Sequence, residues 1–130
     1  MDRLVVDTSV VSYLFKRHTL AAEYRPHLEG NLLGLSFMSV AELYRWPLER
    51  GWGEVRLAAL KEHLKDYVVL PSDDSICWLW ARIMSQKGKP RAIADAWIAA
   101  TALRHGAFLV THNARHFVGI PGLKMVTVPV

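Results

Sequence analysis

Three acidic side chains occupy the positions in this chain where chemistry is most readily built: Asp7 in Leu4-Val5-Val6-Asp7-Thr8-Ser9, Glu42 in Ser39-Val40-Ala41-Glu42-Leu43, and Asp95 in Ile93-Ala94-Asp95-Ala96-Trp97. Each falls where an apolar strand or a loop hands over to a helix. In a parallel α/β sheet such junctions gather at one edge, so carboxylates far apart in sequence converge there on one divalent cation. Clustered carboxylates repel, which raises the pKa of at least one of them unless a cation is present. Oxygen-only ligands favour Mg²⁺ or Mn²⁺ over zinc, and such ions retain waters, one of which becomes an attacking hydroxide. Phosphodiester hydrolysis is the natural reaction. Taken singly, each acid has an ordinary use. Ser39-x-x-Glu42 matches a capping box, Asp95 suits the first turn of a helix, and Asp7 suits an N-cap. Their recurrence at successive junctions is what points to a site, and helix N-termini there would also attract phosphate.

The elements that must position these acids follow from periodicity. Leu4 to Val6 reads as a short buried strand, with Thr8 or Ser9 capping a helix that ends at Lys16-Arg17-His18. Thr19 caps a second helix through Leu20, Ala21, Tyr24 and Leu28, stopped by Gly30-Asn31 before a second strand, Leu33 to Met38. Ser39 opens the helix that carries Glu42, and Trp46-Pro47 should kink it or end its first part. Leu57, Leu60 and Leu64 repeat at helical spacing, and residues 66–70 read as a third strand. Ser72, Asp73 and Asp74 supply caps for a helix whose buried stripe is Ile76, Leu79, Trp80 and Ile83. A helix from Ile93 to Leu103 with Trp97 and Ala100 on its apolar face, a strand from Ala107 to Val110 and a fifth strand from Lys124 to Val128 complete the chain. Strands alternating with helices at these spacings indicate an α/β fold: a central parallel sheet of about five strands covered by helices on both faces.

The chain of 130 residues is the size of one domain, 1–130. Its 52% hydrophobic and 22% charged residues are those of a globular protein, and no apolar run is long enough to cross a membrane. Met1-Asp2-Arg3 leads straight into Leu4-Val5-Val6 without an export signal. The single cysteine, Cys77, cannot close an intrachain disulfide and reads as a buried apolar thiol, which suits a cytoplasmic location. Sixteen Lys plus Arg against twelve Asp plus Glu leave a net charge of +4, more basic still outside an acidic site, so a polyanionic partner fits. Gly88-Lys89-Pro90 is not a phosphate-binding P-loop, and no Gly-x-Gly-x-x-Gly follows the first strand, which argues against nucleotide-cofactor chemistry. A phosphoacceptor receiver domain would need paired acids after the first strand and a lysine after the last, and neither is found.

The chain resembles the PIN-domain ribonucleases, specifically the VapC toxins of toxin–antitoxin pairs. The likeness rests on Val6-Asp7-Thr8-Ser9, Ser39-Val40-Ala41-Glu42-Leu43, Asp95-Ala96-Trp97-Ile98-Ala99-Ala100-Thr101-Ala102, and Leu109-Val110-Thr111-His112-Asn113-Ala114-Arg115-His116-Phe117, in that order over nearly the whole chain. It implies a PIN-like three-layer fold, Mg²⁺-dependent cleavage of RNA with Mn²⁺ as a substitute, neutralisation by a cognate VapB-type antitoxin, and a homodimer or toxin–antitoxin hetero-oligomer. By that likeness Asp7, Glu42 and Asp95 match the catalytic metal-site positions. Family members commonly carry a further acid in the last motif, where this chain has Asn113 and His116. The residues therefore favour one metal over two. The alternative reading is a PIN-fold RNA- or protein-binding module whose catalysis has weakened.

Around the acids, Thr8, Ser9 and Thr111 supply hydroxyls for orienting the carboxylates or contacting phosphate, with helix capping as the plainer role. Asn113 could orient a water, and His116 could contact RNA or act as an acid. His112 and His116, four apart, lack the further ligands of a zinc site. Lys87, Lys89 and Arg91 precede the Asp95 helix closely enough to reach an RNA backbone. Trp46 and Trp52, beside a proline and glycines, are candidates for a partner-binding groove, the other tryptophans for packing.

Overall fold

The computed structural model describes residues 2–128. Five strands, β1 (Arg3–Val6), β2 (Leu32–Ser36), β3 (Val68–Leu70), β4 (Phe108–Val110) and β5 (Met125–Val126), form one parallel sheet in the order β3-β2-β1-β4-β5. Six helices connect and cover them: α1 (Thr8–Lys16), α2 (Ala21–Leu28), α3 (Phe37–Arg50), α4 (Glu54–Leu64), α5 (Asp74–Met84) and α6 (Ile93–Arg104). Strand β1 lies at the centre, paired with β2 on one side and β4 on the other.

Side chains alternate across a strand, and β1 divides them accordingly. Leu4 and Val6 join Leu35 and Val110 in one core with residues of α1, α2, α3 and α4. Val5 joins Leu109 in the other, against Ile76 and Ile83 of α5 and the alanine-rich buried face of α6. The three-layer α/β architecture read from the sequence is the one observed. The fifth strand is shorter than expected, Met125–Val126.

Several local readings need correcting. Strand β2 ends at Ser36, whose side-chain oxygen caps α3 by accepting from the Met38 amide at 3.2 Å, so Ser39 lies inside the helix and forms no capping box with Glu42. Helix α1 is capped by Asp7 itself, through the Thr8 amide, and not by Thr8 or Ser9. Helix α2 starts without a side-chain bond from Thr19, and the Leu20 amide instead donates to His18 Nδ1. Pro47 does not end α3, which continues to Arg50 and stops at Gly51 with φ 63°. One missing amide bond near the end of the helix is offset by burial of the ring. Of the three caps offered for α5, Asp73 serves, accepting from the Ile76 amide at 2.8 Å. Cys77 is exposed. It sits next to Ile76 on a helix, where adjacent residues point about 100° apart, so an apolar run there need not be buried throughout.

Gly34 shows how tightly β2 is held between its neighbours. A Cβ at this position would lie 2.8 Å from Leu70 Cδ1 and 3.2 Å from the Leu4 carbonyl oxygen. Gly34→Val is expected to lower stability by about 1–3 kcal/mol through overpacking, seen as a shift in the urea midpoint with an unchanged slope.

Candidate metal and nuclease site

The carboxyl ends of β1, β2 and β4 place the polar groups. Val6 pairs with Val110, so Asp7 and Thr111 follow side by side, and the Asp7 amide donates to the Val110 carbonyl at 2.8 Å. The Asp7 carboxylate is then held on both oxygens: Oδ1 accepts from the Thr8 amide at 2.8 Å and Oδ2 from the Thr111 hydroxyl at 2.7 Å. Thr8 Oγ1 lies 2.8 Å from both Glu42 Oε1 and Ser39 Oγ. A hydroxyl has one proton and a carboxylate only accepts, so Thr8 donates to Glu42 and Ser39 donates to Thr8. Beyond the end of β2, Thr101 Oγ1 of α6 stands 3.2 Å from Ser36 Oγ, and its proton goes to the Trp97 carbonyl at 2.8 Å. The buried polar side chains among the described residues are Asp7, Thr8, Ser12, Ser36, Ser39, Thr101 and Thr111. Most belong to this network, so the polar interior of the fold is largely a support for its acidic edge.

Asp95 sits in the first turn of α6, a helix without a side-chain cap. Its Oδ2 lies 3.5 Å from His116 Nδ1. Arg91 fixes the loop that carries His116, donating to the His116 carbonyl at 2.8 Å and the Val118 carbonyl at 2.6 Å. Lys89, Arg91, Asp95, Arg115, His116 and Val118 line one cleft.

Burial is the main cause of raised pKa at all three acids. Asp7 is pushed up to about 6 by burial, opposed by the Thr111 and Thr8 hydrogen bonds and reinforced by the charges of Asp95 and Glu42. Glu42 is raised by burial and by Asp95, against the Thr8 bond and Arg45. Asp95 is raised by burial, while His116 and Arg91 pull it down. The three carboxylates thus feel one another across one edge. They do not close into a cluster: among the described residues no three His, Cys, Asp or Glu side chains stand close enough together to hold an ion.

A family model for the PIN domain matches residues 4–122, and ribonuclease VapC1 of Haemophilus influenzae is 30% identical over 125 residues, covering 92% of this chain and 93% of that protein. This chain belongs to the PIN domain family, among its VapC members. Of solved structures, VapBC-1 from nontypeable Haemophilus influenzae superposes on this PIN domain with a TM-score of 0.79 at 30% identity, covering 96% of this chain and 97% of that one. VapBC2 from Rickettsia felis, bound to a DNA fragment from their promoter, superposes with a TM-score of 0.84 at 20% identity over 98% and 99%, a likeness of fold.

Within the PIN domain, the residues expected around the acids divide. Thr8 and Thr111 bond carboxylates directly. Ser9 Oγ is buried and has no hydrogen-bond partner among the described residues. Asn113 is exposed, and its backbone amide, not its side chain, meets the site by donating to Thr111 Oγ1 at 3.0 Å. Lys89 lines the Asp95 cleft and Lys87 does not, while Arg91 is committed to two carbonyls. His112 meets Tyr24, whose hydroxyl lies 2.6 Å from His112 Nδ1, while His116 meets Asp95. Trp46 and Trp52 pack half-buried against the core. Sequence reading missed Ser39 as a partner of Thr8 because its spacing to Glu42 imitated a cap, and it missed Arg115. No helix among the described residues is long and apolar enough to cross a membrane.

A carboxyl with pKa raised in the fold is penalised once ionised, so its cost is absent below its ordinary value of 3.8 and complete above about 6. In metal-free protein Asp7→Asn, which keeps an N-cap, is therefore expected to raise stability at about pH 7 by up to roughly 3 kcal/mol. The gain should shrink toward zero as the pH falls to about 4, and paired urea titrations of chelator-treated protein measure it.

Proposed function

We propose that this protein is an endoribonuclease toxin of a toxin–antitoxin pair, acting as a single cytoplasmic PIN domain that hydrolyses RNA phosphodiester bonds at the edge formed by Asp7, Glu42 and Asp95. The observation that carries the reading is the Asp7 carboxylate, buried at the β1–α1 junction at the cost of a raised pKa and bonded by Thr111 from the far end of the chain. A group that costs stability and is nonetheless held on both oxygens is the signature of a working site. Kinship with ribonuclease VapC1 supports the substrate class.

The donors suit a hard divalent cation, Mg²⁺ or Mn²⁺. They are all oxygen, they repel one another without a cation, and the unpartnered Ser9 hydroxyl is buried nearby in sequence at the first turn of α1. Mg²⁺ is held by as few as one or two carboxylates with waters filling the remaining positions, so three converging acids need not close into a cage. Asp7, Asp95 and Glu42 would hold the ion, which when bound supplies charge neutralisation at the phosphate and a more acidic water. The chain's own residues do the rest. Thr111 and the Thr8 amide fix the Asp7 carboxylate, Ser39 and Thr8 orient Glu42, and His116 holds Asp95 while presenting an imidazole beside the cleft. Lys89 and Arg115 favour an incoming phosphate there, with Arg91 as the brace of that wall and Lys87 further out. The related structures VapBC-1 and VapBC2 support a VapB-type antitoxin as partner, either on a toxin homodimer or in a hetero-oligomer.

Asp7→Asn, Glu42→Gln and Asp95→Asn are each expected to abolish cleavage of RNA while leaving folded protein, and a chelator should abolish cleavage by the wild type until Mg²⁺ is restored. Sequencing of RNA 5′ ends after brief induction of wild type and Asp7→Asn checks this in cells. Wild-type cleavage by Asp7→Asn and Asp95→Asn would defeat the assignment, and chelator-insensitive binding without cleavage would favour a PIN-fold binding module.

A further inference from the structure

Away from the carboxylates, the contact between α1 and α3 carries a second charged feature. Thr8, Ser12 and Lys16 succeed one another at four-residue steps on α1, as Glu42, Trp46 and Arg50 do on α3, so each trio runs along one side of its helix. The two helices are packed neighbours. One end of their seam is the Thr8–Glu42 hydrogen bond. At the other, Lys16 Nζ and the Arg50 guanidinium both lie over the Trp46 ring, at 5.7 and 5.8 Å from its centroid. Arg56, at the start of α4, lies 3.8 Å over the ring of Trp52.

All three cations are exposed, and none forms a salt bridge among the described residues. Lys16 gives up its proton more easily than usual, first because it is partly desolvated and then because Arg50 and Arg56 stand near it. Aromatic faces, not acids, therefore hold this concentration of positive charge together. Trp52 also stacks on Phe15, with centroids 6.0 Å apart. With Phe15 and Arg56 packed on its ring, Trp52 is no platform for a nucleobase, and what the surface presents is charge. At the carboxylate edge, Lys89 and Arg115 offer positive charge on the α6 side. A strand that crosses the edge needs a foothold on the α1–α3 side as well, and the seam leads there.

We propose that Lys16, Arg50 and Arg56 form a phosphate-backbone binding site for the RNA substrate, two helical turns, about 12 Å, from the carboxylates. The site extends the ribonuclease reading and rests on it. It reads charge and not sequence, so it fixes how a strand lies across the molecule and leaves base preference to other contacts.

The test measures binding of a fluorescein-labelled single-stranded RNA of mixed sequence to the full chain carrying Asp7→Asn, without antitoxin, across a series of salt concentrations. Adding Lys16→Gln, Arg50→Gln and Arg56→Gln together should flatten the slope of log affinity against log salt by about 2, since each lost contact to a single strand removes about 0.7. A control removing the same charge elsewhere, Arg3→Gln with Arg25→Gln and Arg82→Gln, should leave the slope close to that of the parent. Lys16→Gln alone should flatten it by about 0.7, which keeps the test valid if the triple variant folds poorly by circular dichroism. A triple variant whose slope matches the control overturns the proposal. So does an unchanged RNA slope combined with lost affinity for an acidic peptide, which would make the cluster a protein-docking surface. Cleavage of the RNA by the Asp7→Asn parent would instead overturn the underlying nuclease reading, whatever the slopes.

Discussion

The carboxylate of Asp7 is the point on which the architecture turns. It is buried where β1 becomes α1, caps that helix, and takes the Thr111 hydroxyl that follows β4. A buried acid with a pKa near 6 is a burden on the fold. Two hydrogen bonds offset part of it, and the remainder is a cost that a cation bound at this edge would relieve. The neighbouring hydroxyls make sense in this light: Thr8, Ser39 and Thr111 hold the acids in an interior that would otherwise expel them.

The sheet order explains why such distant residues meet. With β1 central and all pairings parallel, the carboxyl ends of β1, β2 and β4 lie together, and the connection after each delivers an acid or a hydroxyl. Asp95 comes from the start of α6, on the opposite face from the α1 core, and reaches the edge from the other side. One wall of the site is thus built from α1 and α3 and the other from α6 and the loop pinned by Arg91.

Much of this was legible in the sequence. The apolar run that ends at Asp7, and helical repeats such as Ile76 and Ile83, carry the alternation of elements directly. What sequence hid were choices among equivalent residues. Ser36 and Ser39 both suit a cap, and only the end of β2 decides between them. Pro47 breaks a helix in isolation but not one whose ring is buried against a core. Arg91 has the chemistry of a phosphate ligand, yet two carbonyls lie within its reach and claim it. Spacing suggested that three acids share an edge, but how closely their side chains approach depends on the packing of α3 and α6, which no pattern encodes.

The bond from Thr111 to Asp7 joins residues 104 positions apart. A chain emerging from the ribosome from its N-terminus makes Asp7 long before it makes Thr111, with more than a hundred residues to be added between them. Strand β4, which must dock beside β1 before Asp7 is held, is equally late. The carboxylate edge therefore cannot assemble on a nascent fragment that stops short of β4, and RNA beside a ribosome is spared it until that strand has emerged.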